Sequence, residues 1–143
     1  MIHAYVLMTN HYHLLLETPR PNLSRVMHCM NGSYTTYVNS KRRKVGHLFQ
    51  GRFQALIVDR EAYLLELTRS IHLNPVRAAI VARPEAYPHS SYRAFLSADG
   101  GGLVTPEPTV ALIDGHPPRA REQYGHFVEA GLGGSLPHPL EKP

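Results

Sequence analysis

Apolar and polar positions at the start of the chain follow a pattern that predicts a β-hairpin. Residues 2–8 are rich in β-branched and aromatic side chains and alternate loosely. Residues 11–17 show a similar pattern after a turn-like Thr9-Asn10 step. Two such segments joined by a short turn predict a pair of antiparallel strands.

The next segment has the spacing of a helix. Asn22 is a suitable N-cap, and apolar residues then recur at helical intervals to about residue 39. A run of four basic residues at 41–44 follows and predicts a loop. Residues 53–58 (Phe-Gln-Ala-Leu-Ile-Val) have the composition of a further strand.

A second helix is predicted over about residues 60–73, with Asp59 as its cap. Because a proline disfavours helical geometry at the residue before it, Pro75 predicts that this helix ends at Asn74. A short helix is expected over 76–81.

Composition changes after residue 96. The chain has 143 residues, which suits one compact domain. Residues 1–96 form the predicted domain, and 97–118 are rich in Ser, Gly and Pro, which predicts a loop or linker. Residues 119–143 are expected to form a short helix and a frayed tail.

Charge and cysteine content limit the function classes. The net charge is +4 and the pI is near 9.4, which permits a polyanionic partner without proving one. Cys29 stands alone, so it excludes an intrachain disulfide and a cysteine zinc cluster, and it suits a reducing compartment. No apolar run reaches about 18 residues, so we expect no membrane-spanning helix.

His11 and His13 are the sharpest candidates for chemistry. On a strand, residues two apart point to the same face, about 6–7 Å apart, so both imidazoles could reach one divalent ion. The alternative is a purely structural pair, which is commoner. A third ligand is offered by Asn74, which shares a helical face with Ser70. A carboxamide oxygen with imidazoles suits Mg²⁺ or Mn²⁺, although Asn74 could instead simply cap its helix.

Basic and aromatic residues suggest a nucleic-acid surface. Phosphate contacts give sequence-independent affinity that weakens with salt. The alternative is an ordinary solvated loop. Phe49 and Phe53 could stack on bases or belong to the core. The basic candidates are Lys41, Arg42, Arg43, Lys44, Arg52 and Arg69.

Five motifs, in this order and spacing, resemble the REP-associated tyrosine transposases, a branch of the HUH single-tyrosine transposases. The resemblance covers residues 2–95, about two thirds of the chain. A weaker similarity to a C-terminal extension of some members lies at 124–128. The five motifs are His3 to Met8 with Asn10 to Pro19, Tyr34 to Asn39, Gly46 to Phe53, Ile71 to Ala78, and Ser90 to Arg93.

This resemblance implies both a fold and a chemistry. The implied fold is α+β, a ferredoxin-like or RRM-like antiparallel sheet with helices on one face. Family members cut and rejoin single-stranded DNA beside a hairpin through a 5′-phosphotyrosine. By position, His11 and His13 match the metal-binding histidines, and Asn74 matches the polar third ligand. The bound Mg²⁺ or Mn²⁺ would polarise the scissile phosphate.

The sequence departs from the family pattern in two places. Ser70 stands where the family has its nucleophilic tyrosine, and a serine hydroxyl is shorter and far less acidic than a phenol. Tyr63 is two helical turns away, about 10 Å, and is not expected to replace it. Members also begin with a strand and a helix before the segment at Ile2. Three explanations of this difference are open. They are a truncated reading, a decayed gene copy, or a fragment completed by another chain, as in a strand-exchanged homodimer.

The leading hypothesis is a DNA-binding transposase-like protein whose cleavage of single-stranded DNA is impaired. Its expected partner is single-stranded or hairpin DNA, and its expected location is the bacterial cytoplasm, in association with the nucleoid. One alternative is a non-catalytic module that binds hairpin DNA. Another is a metal-dependent phosphodiesterase in which water replaces the tyrosine.

Overall fold

The protein is described from a computed structural model that covers residues 1–58, 61–98 and 102–134. Two strands and five helices give an α+β fold, which confirms the predicted class. The elements are β1 (Ile2–Leu7), β2 (Tyr12–Leu16), α1 (Leu23–Arg42), α2 (Glu61–Arg77), α3 (Tyr92–Leu96), α4 (Glu107–Val110) and α5 (Pro117–Ala130), with 3₁₀ turns at Pro84–Ala86 and Gly131–Gly133.

The predicted hairpin is confirmed. β1 and β2 pair antiparallel, with Val6 opposite His13 and Leu7 opposite Tyr12. The other edge of β1 is also engaged, because Leu7 N donates to His89 O at 2.8 Å and Ser91 N donates to Tyr5 O at 3.0 Å. β1 therefore lies between β2 and the segment before α3.

The chain divides into two compact units, residues 1–17 with 58–143, and residues 18–57. In the first unit, one hydrophobic core joins the hairpin to the helices of the second half of the chain. There α2 packs on both strands, and α5 packs on α2 and α3. This core contains Ala4, Val6, Leu15, Ile71, Leu73, Tyr87, Tyr92, Phe95, Val110, Ala120, Tyr124 and Val128.

α2 does not end before its proline, contrary to the prediction. Pro75 lies inside the helix, which continues to Arg77. The carbonyl of Asn74 still accepts a hydrogen bond from Ala78 N at 2.9 Å, and Pro75 is fully buried. Packing of this turn in the core outweighs the local steric preference at the residue before a proline.

The predicted strand at 53–58 is wrong. Residues 52–58 contain no strand, and Ile57 is 96 % exposed. β-propensity acts through pairing and burial on a sheet, and among the described residues this segment is unpaired and mostly exposed. Asp59, the predicted cap of α2, lies outside the described residues.

The basic run at 41–44 is only partly a loop. Lys41 and Arg42 form the last turn of α1, and Arg43 ends the helix in the left-handed conformation, with φ 51°. Cations in a last turn complement the partial negative charge of the helix C-terminus, which favours helix over loop here.

The segment predicted as a loop or linker, 97–118, contains α4 and the start of α5. Val104 and Val110 are buried, and Thr105 N donates to the carbonyl of Ile2 at 3.1 Å. Its apolar residues therefore supply part of the core despite the many glycines and prolines. The predicted helix from 119 is confirmed as α5, and the predicted frayed tail lies mostly outside the described residues.

Candidate functional site

The two candidate histidines lie next to each other at the start of β2. His11 precedes the strand, and its carbonyl accepts from Met8 N at 2.8 Å, which closes the hairpin turn. The rings of His11 and His13 have centroids 5.0 Å apart and meet edge to face at 87°. The spacing of two residues along an extended backbone thus brings two imidazoles together, as predicted.

Asn10 orients the first of these rings. Nδ1 of His11 lies 2.7 Å from Oδ1 of Asn10. With Oδ1 as the acceptor, Nδ1–H is the donor, and in a neutral ring Nε2 is then the nitrogen that can ligate a metal. This hydrogen bond selects the tautomer that can ligate a metal through Nε2.

α2 carries a polar stripe formed by Ser70, Asn74 and Arg77, at intervals of four and three residues. Ser70 and Asn74 are buried, whereas Arg77 is exposed. Nη1 of Arg77 donates to Oγ of Ser70 at 3.1 Å. The side chain of Ser70 is therefore an enclosed hydroxyl that accepts a hydrogen bond from a cation.

The donor types of His11, His13 and Asn74 are ones that proteins use to hold a divalent cation. The described residues contain no group of three or more His, Cys, Asp or Glu side chains that could hold a metal ion. If His11, His13 and Asn74 act together, two imidazoles and one carboxamide would form a mixed nitrogen and oxygen set, which suits Mn²⁺ better than Mg²⁺, since Mg²⁺ prefers oxygen ligands.

Arg69, one of the predicted DNA contacts, is engaged within the protein. Its guanidinium pairs with Glu66 and lies 4.3 Å from the centroid of the Phe127 ring. Its side chain is only 13 % exposed. The contact with Phe127 joins α2 to α5, and the ion pair with Glu66 lies within α2. Because both occupy its guanidinium inside the protein, Arg69 is not part of the proposed DNA surface.

The remaining basic candidates lie in the unit formed by residues 18–57. Lys41, Arg42, Arg43 and Lys44, called the basic cluster below, are all exposed, as is Arg52. Nζ of Lys41 lies 5.6 Å from the centroid of the Tyr37 ring and donates to its hydroxyl. This combination of cations and an exposed aromatic ring suits a polyanion with stackable bases.

The segment after α1 folds back along that helix. Nδ2 of Asn39 donates to the carbonyl of Gly46 at 2.9 Å, and the ring of Phe49 lies 6.3 Å from that of Tyr34. Gly46 has φ 112°, a conformation that a side chain would strain. Phe49 is only half-buried, so it keeps part of its ring surface accessible.

Sequence reasoning gave no role to His72, which proves to be the centre of a buried polar network. Nδ1 lies 2.7 Å from the hydroxyl of Tyr124, and Nε2 lies 2.8 Å from Oγ of Ser91. Ser91 in turn donates to the carbonyl of Tyr5. Burial lowers the pKa of His72 from 6.5 to about 3, so the ring is neutral.

A signal for this network is present in the sequence but is weak. His72 stands between Ile71 and Leu73 in the apolar stretch of α2, where a histidine must find partners if it is buried. Those partners come from segments far along the chain, so local spacing cannot name them.

Comparison with protein families gives one match. The family model described as "Transposase IS200 like" matches residues 1–72, half of the chain. The match includes the histidine pair, the basic cluster and Ser70, and it stops before Asn74 and Arg77. Comparison with the curated proteins and with the solved structures gives no match.

The chain belongs to the IS200-like transposase family. This membership assigns it a transposase-like function in DNA transposition and recombination, with DNA as its partner. Transposases of this family generally depend on a metal ion. Within the described ranges, none of the helices combines the length and the hydropathy needed to cross a membrane.

Proposed function

We propose that the protein binds single-stranded DNA beside hairpin repeats and that its cleavage of that DNA is impaired. The observation that carries the proposal of impaired cleavage is the burial and hydrogen bonding of Ser70. This residue is 3 % exposed, and its hydroxyl accepts a hydrogen bond from Arg77. A nucleophile must come within about 3–3.5 Å of phosphorus in line with the leaving oxygen. An enclosed serine at the position of a tyrosine does not reach that far.

The proposed metal ligands are His11, His13 and Asn74. The adjacent imidazoles, the orienting contact from Asn10 and the packing of α2 on β2 support this choice. When bound, Mg²⁺ or Mn²⁺ would supply Lewis-acid polarisation of the scissile phosphate. The protein itself contributes fixed ligands and a rigid helix, which hold the DNA phosphate close to the polar stripe of α2.

The proposed DNA contacts outside this site are the basic cluster and Arg52. Four adjacent cations in the last turn of α1 and just beyond it form a compact positive surface. Each phosphate contact releases a counterion, so the affinity for single-stranded DNA should fall as salt rises. Each contact should add about −0.7 to the slope of log affinity against log salt concentration. Replacing Lys41, Arg42 and Lys44 with Gln should lower this slope, and Arg43 is kept because it holds the left-handed helix end.

The cleavage experiment uses an oligonucleotide with a hairpin flanked by single-stranded arms, with Mn²⁺. We expect the parent chain to bind it without forming a covalent adduct. Ser70→Tyr should regain adduct formation, and adding His11→Ala should remove it again. Ser70→Ala serves as the matched control for the substitution itself and should form no adduct. A covalent adduct formed by the parent chain would falsify the proposal.

The same assay separates the two other candidate activities. Nicked product without an adduct, formed only when His11 and His13 are intact, would indicate attack by water. Hairpin binding that persists in EDTA, without nicking by any variant, would indicate a module that only binds.

A further inference from the structure

Arg77 occupies an unusual position on the polar stripe of α2. It is the last residue of the helix, yet its guanidinium reaches back two turns to Ser70. Helical side chains lean toward the N-terminus of their own helix, so this reach carries the cation past the position of Asn74. The guanidinium therefore lies on the same face as a proposed metal ligand and the position of the family nucleophile.

Arg77 carries its charge without an acidic partner among the described residues. No ion pair between Arg77 and a carboxylate occurs among the residues that the structure describes, whereas four other arginines have one. Partial burial, and secondarily the charge of Arg69, lowers the pKa of Arg77 below its ordinary value. The paired arginines are Arg69, Arg83, Arg119 and Arg121.

A guanidinium presents five N–H donors in a fork, which matches the oxygens of a phosphate. At Arg77, Nη1 donates to the neutral hydroxyl of Ser70. A partly desolvated cation that has no acidic partner and still has free N–H donors is stabilised most by an anionic ligand. The stripe on which it lies is where the DNA phosphate is expected under the proposed function.

We propose that Arg77 is a phosphate-binding residue, which donates to a non-bridging oxygen of the DNA phosphodiester that lies against the polar stripe of α2. This inference rests on the proposed function and adds to it a specific contact. The ligand class is the phosphodiester of single-stranded DNA, and Ser70 holds the guanidinium in place before DNA arrives.

The test measures binding of the same hairpin oligonucleotide over a series of salt concentrations. Arg77→Gln should lower the slope of log affinity against log salt by about 0.7, the loss of one contact to a single strand. Arg119→Gln is the matched control, because Arg119 is an exposed arginine of α5 paired with Asp114 at 3.7 Å. It should leave the slope unchanged.

A second measurement does not depend on the stability of a variant. In the intact parent protein, the side-chain Nε–Hε resonance of Arg77 should shift when the oligonucleotide is added, while that of Arg119 should not. An unmoved Arg77 resonance, or an unchanged slope for a folded Arg77→Gln, overturns the inference and leaves the proposed function standing. A parent chain that binds no oligonucleotide overturns both.

Discussion

His72 and Tyr124 are joined by a buried hydrogen bond of 2.7 Å between the imidazole Nδ1 and the phenol oxygen. This contact links α2 to α5 across 52 residues of sequence. When the hydroxyl of Ser91 donates to the carbonyl of Tyr5, its oxygen accepts from Nε2–H, and Nδ1 then accepts from Tyr124. One neutral tautomer thus satisfies the whole network.

The stability of the protein should depend on pH through His72. The unfolded chain binds a proton at this ring below pH 6.5, whereas burial delays protonation of the folded state to about pH 3. The free energy of unfolding contributed by the neutral ring is therefore fully present above pH 6.5 and falls as pH drops toward 3, by up to about 1.4 kcal/mol per unit. Urea unfolding at several pH values between 7 and about 5 measures this slope.

His72→Gln should lose this part of the pH dependence. His126→Gln is the control, because His126 is exposed on α5 and should leave the slope unchanged. Equal slopes in the parent and in His72→Gln would show that the ring is not held neutral by burial.

Removing the phenol hydroxyl should destabilise the fold without creating a large cavity. Tyr124→Phe leaves Nδ1 of His72 buried without its hydrogen-bond partner, which costs about 1–3 kcal/mol. Tyr63→Phe removes a hydroxyl from a side chain that is 53 % exposed and should change stability by less than about 0.5 kcal/mol. Chemical denaturation of both variants tests the difference, and similar losses would contradict it.

Gly131 and Gly133 lie in the same 3₁₀ turn and should respond differently to alanine. A Cβ at Gly131 would lie 2.8 Å from Cδ1 of Leu73 and 3.0 Å from Cδ of Arg69, whereas nothing lies within 4 Å of a Cβ at Gly133. Overpacking of this kind costs about 1–3 kcal/mol. Gly131→Ala should therefore lower the midpoint of thermal unfolding, and Gly133→Ala should not. A neutral Gly131→Ala would mean that α2 and the end of α5 are loosely packed.

Addition of Mn²⁺ should raise the midpoint of thermal unfolding of the parent protein. Binding to the folded state alone stabilises it by about 2.7 kcal/mol at a hundredfold excess over Kd. His11→Ala or Asn74→Ala should abolish most of this increase, and EDTA should reverse it. His126→Ala is the control for non-specific binding to surface histidines. An undiminished increase in His11→Ala would place the metal elsewhere.

The hairpin, α1 and α5 could be predicted because their signals are local. The hairpin follows from the alternation of apolar and polar residues on either side of Thr9-Asn10, and α1 follows from the helical spacing of apolar residues after Asn22. Neither prediction requires knowledge of distant residues. The adjacency of His11 and His13 follows from the same strand geometry, so this part of the candidate site was accessible from sequence.

The errors arise where distant packing decides the local structure. Pro75 stays in a helix because its turn is buried, and 53–58 is not a strand because no partner strand pairs with it. The role of His72 is clear only once its partners Ser91 and Tyr124 are known. The role of Ser70 likewise depends on its contact with Arg77. The contact between Ser70 and Arg77 could have been predicted from the sequence, since residues seven apart on a helix share a face.

Three backbone groups on the side of β1 that faces away from β2 are already hydrogen-bonded. Leu7 N, Tyr5 O and Ile2 O bond to His89, Ser91 and Thr105. A further strand could therefore not pair with these groups of β1. A strand added beside β2 instead would run alongside the strand that carries His13, and so would change the surroundings of the imidazole pair.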